Sequence, residues 1–163
     1  MGELSHFDEH GASRMVDVGS KPVTARVARA SGHVHMLAST LELSRNRGLA
    51  KGDVLEVARI AGIMASKRTS DLIPLCHPLN RDRVTIDFSF HRADCLAITA
   101  TVQATGRTGV EMEALTAVSV TALTVYDMCK AVDRAMVVTQ VQLDEKSGGQ
   151  RGDYVRSTTP AAS

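Results

Sequence analysis

The sequence predicts an α+β domain in which helices cover one face of an antiparallel sheet. Residues 83–90 and 95–102 each alternate apolar and polar side chains, and the segment HRAD joins them, so they form an antiparallel hairpin. Periodic apolar residues predict two further strands and two helices: strands over 23–30 and 137–146, helices over 51–69 and 108–134. The resulting order of strand, helix, strand, strand, helix, strand is that of a ferredoxin-like domain.

The longest predicted helix, 108–134, begins with the pattern of a capping box. Thr108 is placed to cap the free main-chain amides, and Glu111 is placed to return a hydrogen bond. An apolar stripe recurs at steps of three and four residues: Leu115, Val118, Ala122, Val125, Cys129 and Val132. One side of this helix is therefore expected to face the core.

The opposite side of the same helix is also partly apolar. It carries Glu113, Thr116, Val120, Leu123, Asp127 and Lys130. A helix that is apolar on both sides is normally covered on both sides, so we expect an oligomer. Glu113 and Asp127 are separated by roughly 21 Å along the axis, too far to share one small pocket within a chain. An antiparallel neighbour across a two-fold axis would bring Glu113 of one copy near Asp127 of the other.

The length of the chain fits one domain. We expect an irregular segment over 1–22, a single domain over 23–156 and a disordered tail over 157–163. Within the domain, Asp53 is placed to cap the second helix, with Glu56 completing the capping box.

The composition excludes several classes of partner. A net charge of +1 and an aromatic content of 3% argue against binding of nucleic acid by charge or by base stacking. Three cysteines without CxxC spacing predict neither a disulfide framework nor a metal site, and they fit a reducing compartment. The first residues lack the apolar run of an export signal, and no spanning segment is found, so we expect a cytoplasmic protein with no membrane contact.

The segment SDLIPLCHPL, residues 70–79, is the most distinctive loop. Pro74 and Pro78 fix the backbone on either side of Leu75, Cys76 and His77. A stiff apolar loop that presents one histidine is typical of a site element, although a buried linker with a hydrogen-bonded histidine fits equally well. Nothing in the sequence indicates a lowered thiol pKa for Cys76.

Cations outnumber carboxylates among the remaining candidates. The cations are Arg26, Lys51, Lys67, Lys130 and Lys146, and the carboxylates are Glu113 and Asp127. This balance favours an anionic, phosphorylated ligand. The glycine-rich segment KSGGQRGDY after the last strand could hold phosphate through its main-chain amides.

Several segments closely resemble the molybdenum cofactor biosynthesis protein C (MoaC) family. They are MVDV (15–18), KGDV (51–54), ARIAGI (58–63), KRT (67–69), DLIPLCHPL (71–79), TGVEMEALTA (108–117), YDMCKA (126–131) and KSGG (146–149). The resemblance implies a cyclic pyranopterin monophosphate synthase, which rearranges 3',8-cyclo-7,8-dihydro-GTP and releases pyrophosphate. It also implies a hexamer built as a trimer of dimers, with the pocket at a subunit interface. Gln150-Arg151 stands where the family pattern reads Lys-Ser.

The resemblance also implies roles for particular residues. Asp127 is the expected catalytic residue, with Lys51 and Lys130 beside it, and Glu111 is kept chiefly as a helix cap. The residues expected to line the substrate are Leu75, Cys76, His77, Met112 and Glu113. From the chemistry of the reaction rather than from the resemblance, we expect Lys67, Arg26 and Lys146 to stabilise the departing pyrophosphate. No resident metal is expected, and Mg²⁺ accompanying the triphosphate is left open.

Two other classes of protein remain as alternatives. A non-catalytic ferredoxin-like module could bind a nucleotide without converting it, but charged residues on an apolar helix face are a costly arrangement for simple binding. A cyclohydrolase acting on a pterin ring would need a metal with His and Cys ligands, and the required spacing is missing.

Overall fold

The structure is a computed structural model that describes residues 6–45, 53–150 and 152–157. Its elements are β1 (Thr24–His35), α1 (Ala38–Arg45), α2 (Val54–Ser66), α3 (Thr69–Leu72), β2 (Arg83–Arg92), β3 (Cys95–Gly106), α4 (Glu111–Cys129), β4 (Val137–Ser147) and β5 (Tyr154–Val155). Residues 6–22 contain turns and an isolated bridge between Phe7 and Ser13, and no helix or strand is assigned to them. The predicted tail lies outside the described residues from 158 onward.

The predicted α+β fold is confirmed. The strands form one antiparallel sheet in the order β2-β3-β1-β4-β5. The predicted hairpin is present, with Ile86 opposite Ala100. Helix α4 packs across β1, β3 and β4, while α2 lies beside α4 and reaches β2. The helices thereby cover a core made largely of Ala, Val, Leu and Ile side chains.

Alternation along β1 separates a core face from an open face. Ala28, Ala30 and Val34 are fully buried beneath the helices. Between them, residues such as Ser31 and His33 point to the other face and are only partly buried. That face is polar, and Ser31 Oγ donates to Asp144 Oδ1 over 2.9 Å. The strand continues to His35, beyond the predicted end at residue 30.

Helix α4 begins and ends inside its predicted bounds. It starts at Glu111 after Val110, and no side-chain hydrogen bond caps it, so the predicted capping box of Thr108 and Glu111 is wrong. The chain leaves the helix after Cys129, and Val132 therefore lies beyond it, 53% exposed rather than in the core. The central part of the predicted stripe is confirmed, since Val118, Ala122 and Val125 are completely buried, as is Cys129.

Strand β4 does not keep one apolar phase. Its register against β1 shifts twice, and Gln140 has a positive φ of 52°. Each irregularity turns the following side chains to the other face of the sheet. Val137, Thr139, Val141 and Leu143 alternate in the sequence as they would on one face of a regular strand, but these shifts prevent them from sharing a face, and Val137 is exposed.

Helix α2 is capped as predicted. The main-chain amide of Glu56 donates to Asp53 Oδ1 over 3.1 Å. Further along α2, a Cβ atom at Gly62 would lie 2.9 Å from the Ala117 carbonyl oxygen of α4. The missing side chain therefore lets α2 and α4 approach each other closely at this point.

Strand β2 is an edge strand, and a helix residue blocks part of its edge. Arg59 of α2 donates a hydrogen bond from Nη1 to the Ile86 carbonyl oxygen. The same guanidinium lies over the Phe88 ring, with 5.0 Å between Cζ and the ring centroid. One main-chain acceptor of β2 is therefore occupied by a side chain of α2.

None of the helices in the described part of the chain is long and apolar enough to cross a membrane.

Candidate functional site

A cavity of about 630 Å³ lies where five parts of the chain meet. These parts are the N-terminal segment, the start of β1, the loop after α3, the turn before α4 with the first turn of that helix, and the end of β4 with the turn that follows. The predicted residues Arg26, Leu75, Cys76, His77, Met112 and Lys146 all line it. The sheet brings Arg26 of β1 and Lys146 of β4 together because Ala28 pairs with Lys146. One chain therefore gathers six of the predicted side chains.

The wall of the cavity is strongly cationic. It carries Lys21, Arg26, Arg107 and Lys146, and Glu111 is the one carboxylate among the described lining residues. An excess of fixed positive charge in a concave site favours anionic ligands. The neighbouring apolar side chains of Leu75 and Met112 lower the local dielectric and strengthen that preference.

Arg26 is the most buried of these cations. Only 7% of the residue is exposed. Its Nε donates to the Gly106 carbonyl oxygen over 3.4 Å, and its Nη2 donates to the Arg107 carbonyl oxygen over 3.3 Å. Two of its three nitrogens are thus fixed by the main chain, and the guanidinium has a defined orientation in the cavity wall.

Glu111 belongs to the cavity, whereas the sequence suggested chiefly a helix cap. Its carboxylate lies 2.9 Å from Lys146 Nζ, and both side chains are about one quarter exposed, at 28% and 23%. The ion pair joins the first turn of α4 to the end of β4. A carboxylate in the first turn is also favoured by the helix dipole.

The loop after α3 rests on a buried glutamate. The Cys76 amide donates to the Ile73 carbonyl oxygen over 3.1 Å, which closes a tight turn. Behind it, Glu113 is 1% exposed and lies under Cys76 rather than in the cavity lining. Burial raises the pKa of the Glu113 carboxyl, and its own main-chain hydrogen bond and Arg81 oppose this. Burial and the nearby Glu113 also raise the pKa of the Cys76 thiol, so Cys76 is unsuited to nucleophilic attack.

Asp127 and Lys130 lie at the other end of α4. Lys130 Nζ donates to Asp127 Oδ1 over 2.6 Å, and both side chains are exposed. Asp127 is sixteen residues beyond Glu111, about 24 Å along the helix. One chain therefore does not bring this pair to the cavity.

The remaining two predicted residues are also separate from the cavity. Lys67 lies in a second hollow, beside Arg81 and Arg83. Lys51 falls outside the described residues.

The sequence reasoning missed contributors from the N-terminal segment. His6, Val16, Val18 and Lys21 line the cavity although they precede the first strand. The only available signal was the short apolar run 15–18. Nothing in that run predicted contact with the loop after α3, about 60 residues later in the chain, or with the turn before α4, about 90 residues later.

No group of three or more His, Cys, Asp or Glu side chains that could hold a metal ion is formed by the residues with described positions. The cavity instead offers cations, one carboxylate and His77. These groups suit binding of phosphate and proton transfer.

An α+β domain with a concave, partly apolar and cationic cavity has the features of a protein with a pocket for an anionic small molecule. The sequence matches the MoaC family over residues 15–149. The chain belongs to this family.

Each of three similar proteins covers more than nine tenths of the chain. It is 64% identical over 155 residues to "Cyclic pyranopterin monophosphate synthase 3" of Mycobacterium tuberculosis, covering 95% of this chain and 88% of that protein. It is 60% identical over 154 residues to "Cyclic pyranopterin monophosphate synthase" of Streptomyces coelicolor, with coverage of 94% and 90%. A protein of the same name from Parvibaculum lavamentivorans is 59% identical over 153 residues, with coverage of 93% and 96%.

Proposed function

We propose that this protein is a cyclic pyranopterin monophosphate synthase of molybdenum cofactor biosynthesis. It converts (8S)-3',8-cyclo-7,8-dihydroguanosine 5'-triphosphate to cyclic pyranopterin monophosphate and releases pyrophosphate. Membership of the MoaC family and identities of 59–64% to proteins of that name support the assignment.

The observation that carries the proposal is the cationic cavity. A nucleoside triphosphate brings about four negative charges near neutral pH, and Lys21, Arg26, Arg107 and Lys146 offer matching positive charges. Formation of the cyclic phosphate requires a sugar hydroxyl to attack the α-phosphorus in line with the departing pyrophosphate. Arg26 and Lys146 stabilise the charge that develops on that leaving group. Lys67 lies in the second hollow, so it contributes only if assembly of the subunits places that hollow next to the substrate in the cavity.

Rearrangement of the rings needs protons to be moved at ring nitrogens and sugar oxygens. Asp127 serves as the base, and Lys51 or Lys130 serves as the acid. His77, which lines the cavity, orients the substrate or relays a proton. Leu75, Cys76 and Met112 surround the ring system, and Glu113 supports Cys76 from behind.

Assembly of subunits completes this site. Leu123, 60% exposed, lies one helical turn before Asp127, and α2 exposes a second apolar stripe of Val57, Ile60 and Met64. An antiparallel neighbour packed on these faces would carry its Asp127 and Lys130 to the cavity of the first subunit. The ferredoxin-like domain thus works as an oligomer, a hexamer formed as a trimer of dimers, and it acts in the cytoplasm without nucleic acid.

Incubation of the purified protein with the cyclised nucleotide tests the proposal. Mass analysis should find cyclic pyranopterin monophosphate and one pyrophosphate for each substrate consumed. Binding without conversion would instead identify a nucleotide-binding regulatory module and reject the enzyme assignment. The same assay with Mg²⁺ and with EDTA decides whether the cation accompanies the triphosphate.

A further inference from the structure

Two consecutive glycines wrap around Arg26 at the end of β4. Gly148 and Gly149 both have positive φ angles, +87° and +92°. The Gly148 amide donates to Asp153 Oδ1 over 3.1 Å, and the Gly152 amide donates to the Gly149 carbonyl oxygen over 3.2 Å. These two hydrogen bonds close the turn on itself.

Gly149 lies directly against the Arg26 guanidinium. A Cβ atom at this position would lie 2.7 Å from Arg26 Cζ and 3.3 Å from Nη2, and closer still to Nη1. Real Cβ atoms do not approach heavy atoms so closely, so any side chain at 149 would displace the guanidinium. The positive φ alone does not explain this glycine, because asparagine also adopts that conformation at modest cost.

Arg26 Nη1 is the nitrogen left for a ligand. Nε and Nη2 donate to the carbonyl oxygens of Gly106 and Arg107. Nη1 has no hydrogen-bond acceptor among the described residues, although the residue is 7% exposed and lines the cavity. A nearly buried guanidinium with free donors is a strong site for an oxyanion.

We propose that Gly149 is a positioning residue that keeps Arg26 Nη1 directed at a phosphate oxygen of the substrate and of departing pyrophosphate. The absence of a side chain at 149 leaves room for the guanidinium between the glycine turn and the Gly106–Arg107 carbonyls. This inference rests on the proposed function for the identity of the ligand.

Gly149→Ala and Gly152→Ala form a matched pair of variants. Gly152 also has a positive φ, +68°, but a Cβ atom there would meet nothing within 4 Å among the described residues. Both variants therefore carry similar backbone strain, and only Gly149→Ala displaces Arg26. Calorimetric titration with inorganic pyrophosphate should show affinity about tenfold weaker for Gly149→Ala and within about twofold of wild type for Gly152→Ala.

A second pair of variants tests whether Gly149 acts through Arg26. Lysine at 26 has no Nη1 and leaves space for a methyl group, so Gly149→Ala should weaken pyrophosphate binding by less than about twofold when added to Arg26→Lys. This background also keeps the test open if Gly149→Ala alone fails to fold. The inference would be overturned if Gly149→Ala weakened pyrophosphate binding tenfold in the Arg26→Lys background. It would also be overturned if Gly149→Ala and Gly152→Ala bound pyrophosphate with equal affinity.

Pyrophosphate binding is measured without turnover, so the two proposals fail separately. Wild-type protein that binds no pyrophosphate would overturn the role of Gly149. Failure to convert the cyclised nucleotide, with pyrophosphate binding and its dependence on Gly149 intact, would overturn the enzyme assignment alone.

Discussion

The thiol of Cys76 lies 4.0 Å from Oε1 of Glu113, and it is the link between the cavity loop and the first turn of α4. The other carboxyl oxygen of Glu113, Oε2, is buried and has no hydrogen-bond partner among the described residues. Burial raises the pKa values of both groups, so each favours its neutral form. A neutral thiol then donates to a carboxyl group that is itself costly to ionise.

Glu113→Gln should flatten the dependence of stability on pH. The pKa of Glu113 is raised in the folded protein, so its favourable contribution is complete below the unfolded value and is lost as pH rises through the folded value. The variant lacks this titration, and its free energy of unfolding relative to wild type should therefore rise with pH over that window. Urea unfolding at a series of pH values measures the difference.

Glu145→Gln is the control for that experiment. It makes the same chemical change at a side chain that is 42% exposed. The wild-type slope should persist in this variant. Parallel curves for wild type and Glu113→Gln would contradict the assigned titration of Glu113.

Glu111→Gln should strengthen binding of inorganic pyrophosphate by roughly three- to tenfold, because it removes the one carboxylate among the described cavity residues and releases Lys146. Lys146→Ala should change affinity in the opposite direction by a similar factor. Calorimetric titration measures both. Helix content by circular dichroism should not fall in Glu111→Gln, since Glu111 caps nothing in α4. Weaker binding by Glu111→Gln would show that its carboxylate is not a repulsive element.

Lys21→Ala should raise the KM for the cyclised nucleotide by about tenfold, since a cation is lost from the cavity wall. The effect should shrink at high ionic strength, because salt screens a partly exposed charge. Arg14→Ala removes an exposed cation of the same segment that does not line the cavity, and its KM should stay within twofold of wild type. If the two substitutions raised KM equally, Lys21 would act only through the net charge of the protein and not as part of the cavity wall.

Mixing two inactive variants tests the shared site. Asp127→Asn and His77→Ala disable groups that, in the proposed site, come from two different subunits. Random pairing makes half of the dimers mixed, each with one intact site, so about a quarter of wild-type turnover should return after subunit exchange.

Asp127→Asn mixed with Lys130→Ala is the control, because both groups come from the same end of α4. Every site in that mixture still lacks one of them. Recovery in the control, or none in the first mixture despite exchange, would reject an interface built as proposed.

Local patterns in the sequence were sufficient for most of the fold. The hairpin and the Asp53 cap each depend on residues that are close in the chain, and both predictions are confirmed. The β4 phase and the start of α4 depend on long-range contacts, such as the pairing of β4 with β1 and of Lys146 with Glu111. Propensity and periodicity do not contain that information.

The candidate site divides in the same way. The sequence named Arg26 and Lys146 as candidate cations and His77 as part of a stiff loop, and the fold brings these three to one cavity. Lys21 and Arg107 were missed because a single surface cation carries no local signal of its destination. The roles predicted for Asp127 and Lys130 stay predictions, since they depend on a second chain.

The hydrogen bond from the Arg59 guanidinium to the Ile86 carbonyl oxygen affects how the edge strand β2 could pair with a strand of another molecule. An exposed edge strand can pair with strands of other molecules through its free main-chain groups, and repeated pairing leads to fibres. Here an incoming strand would first have to detach a cation that is also held against the Phe88 ring. Another strand that approached β2 at this point would therefore compete with Arg59 for the Ile86 carbonyl oxygen.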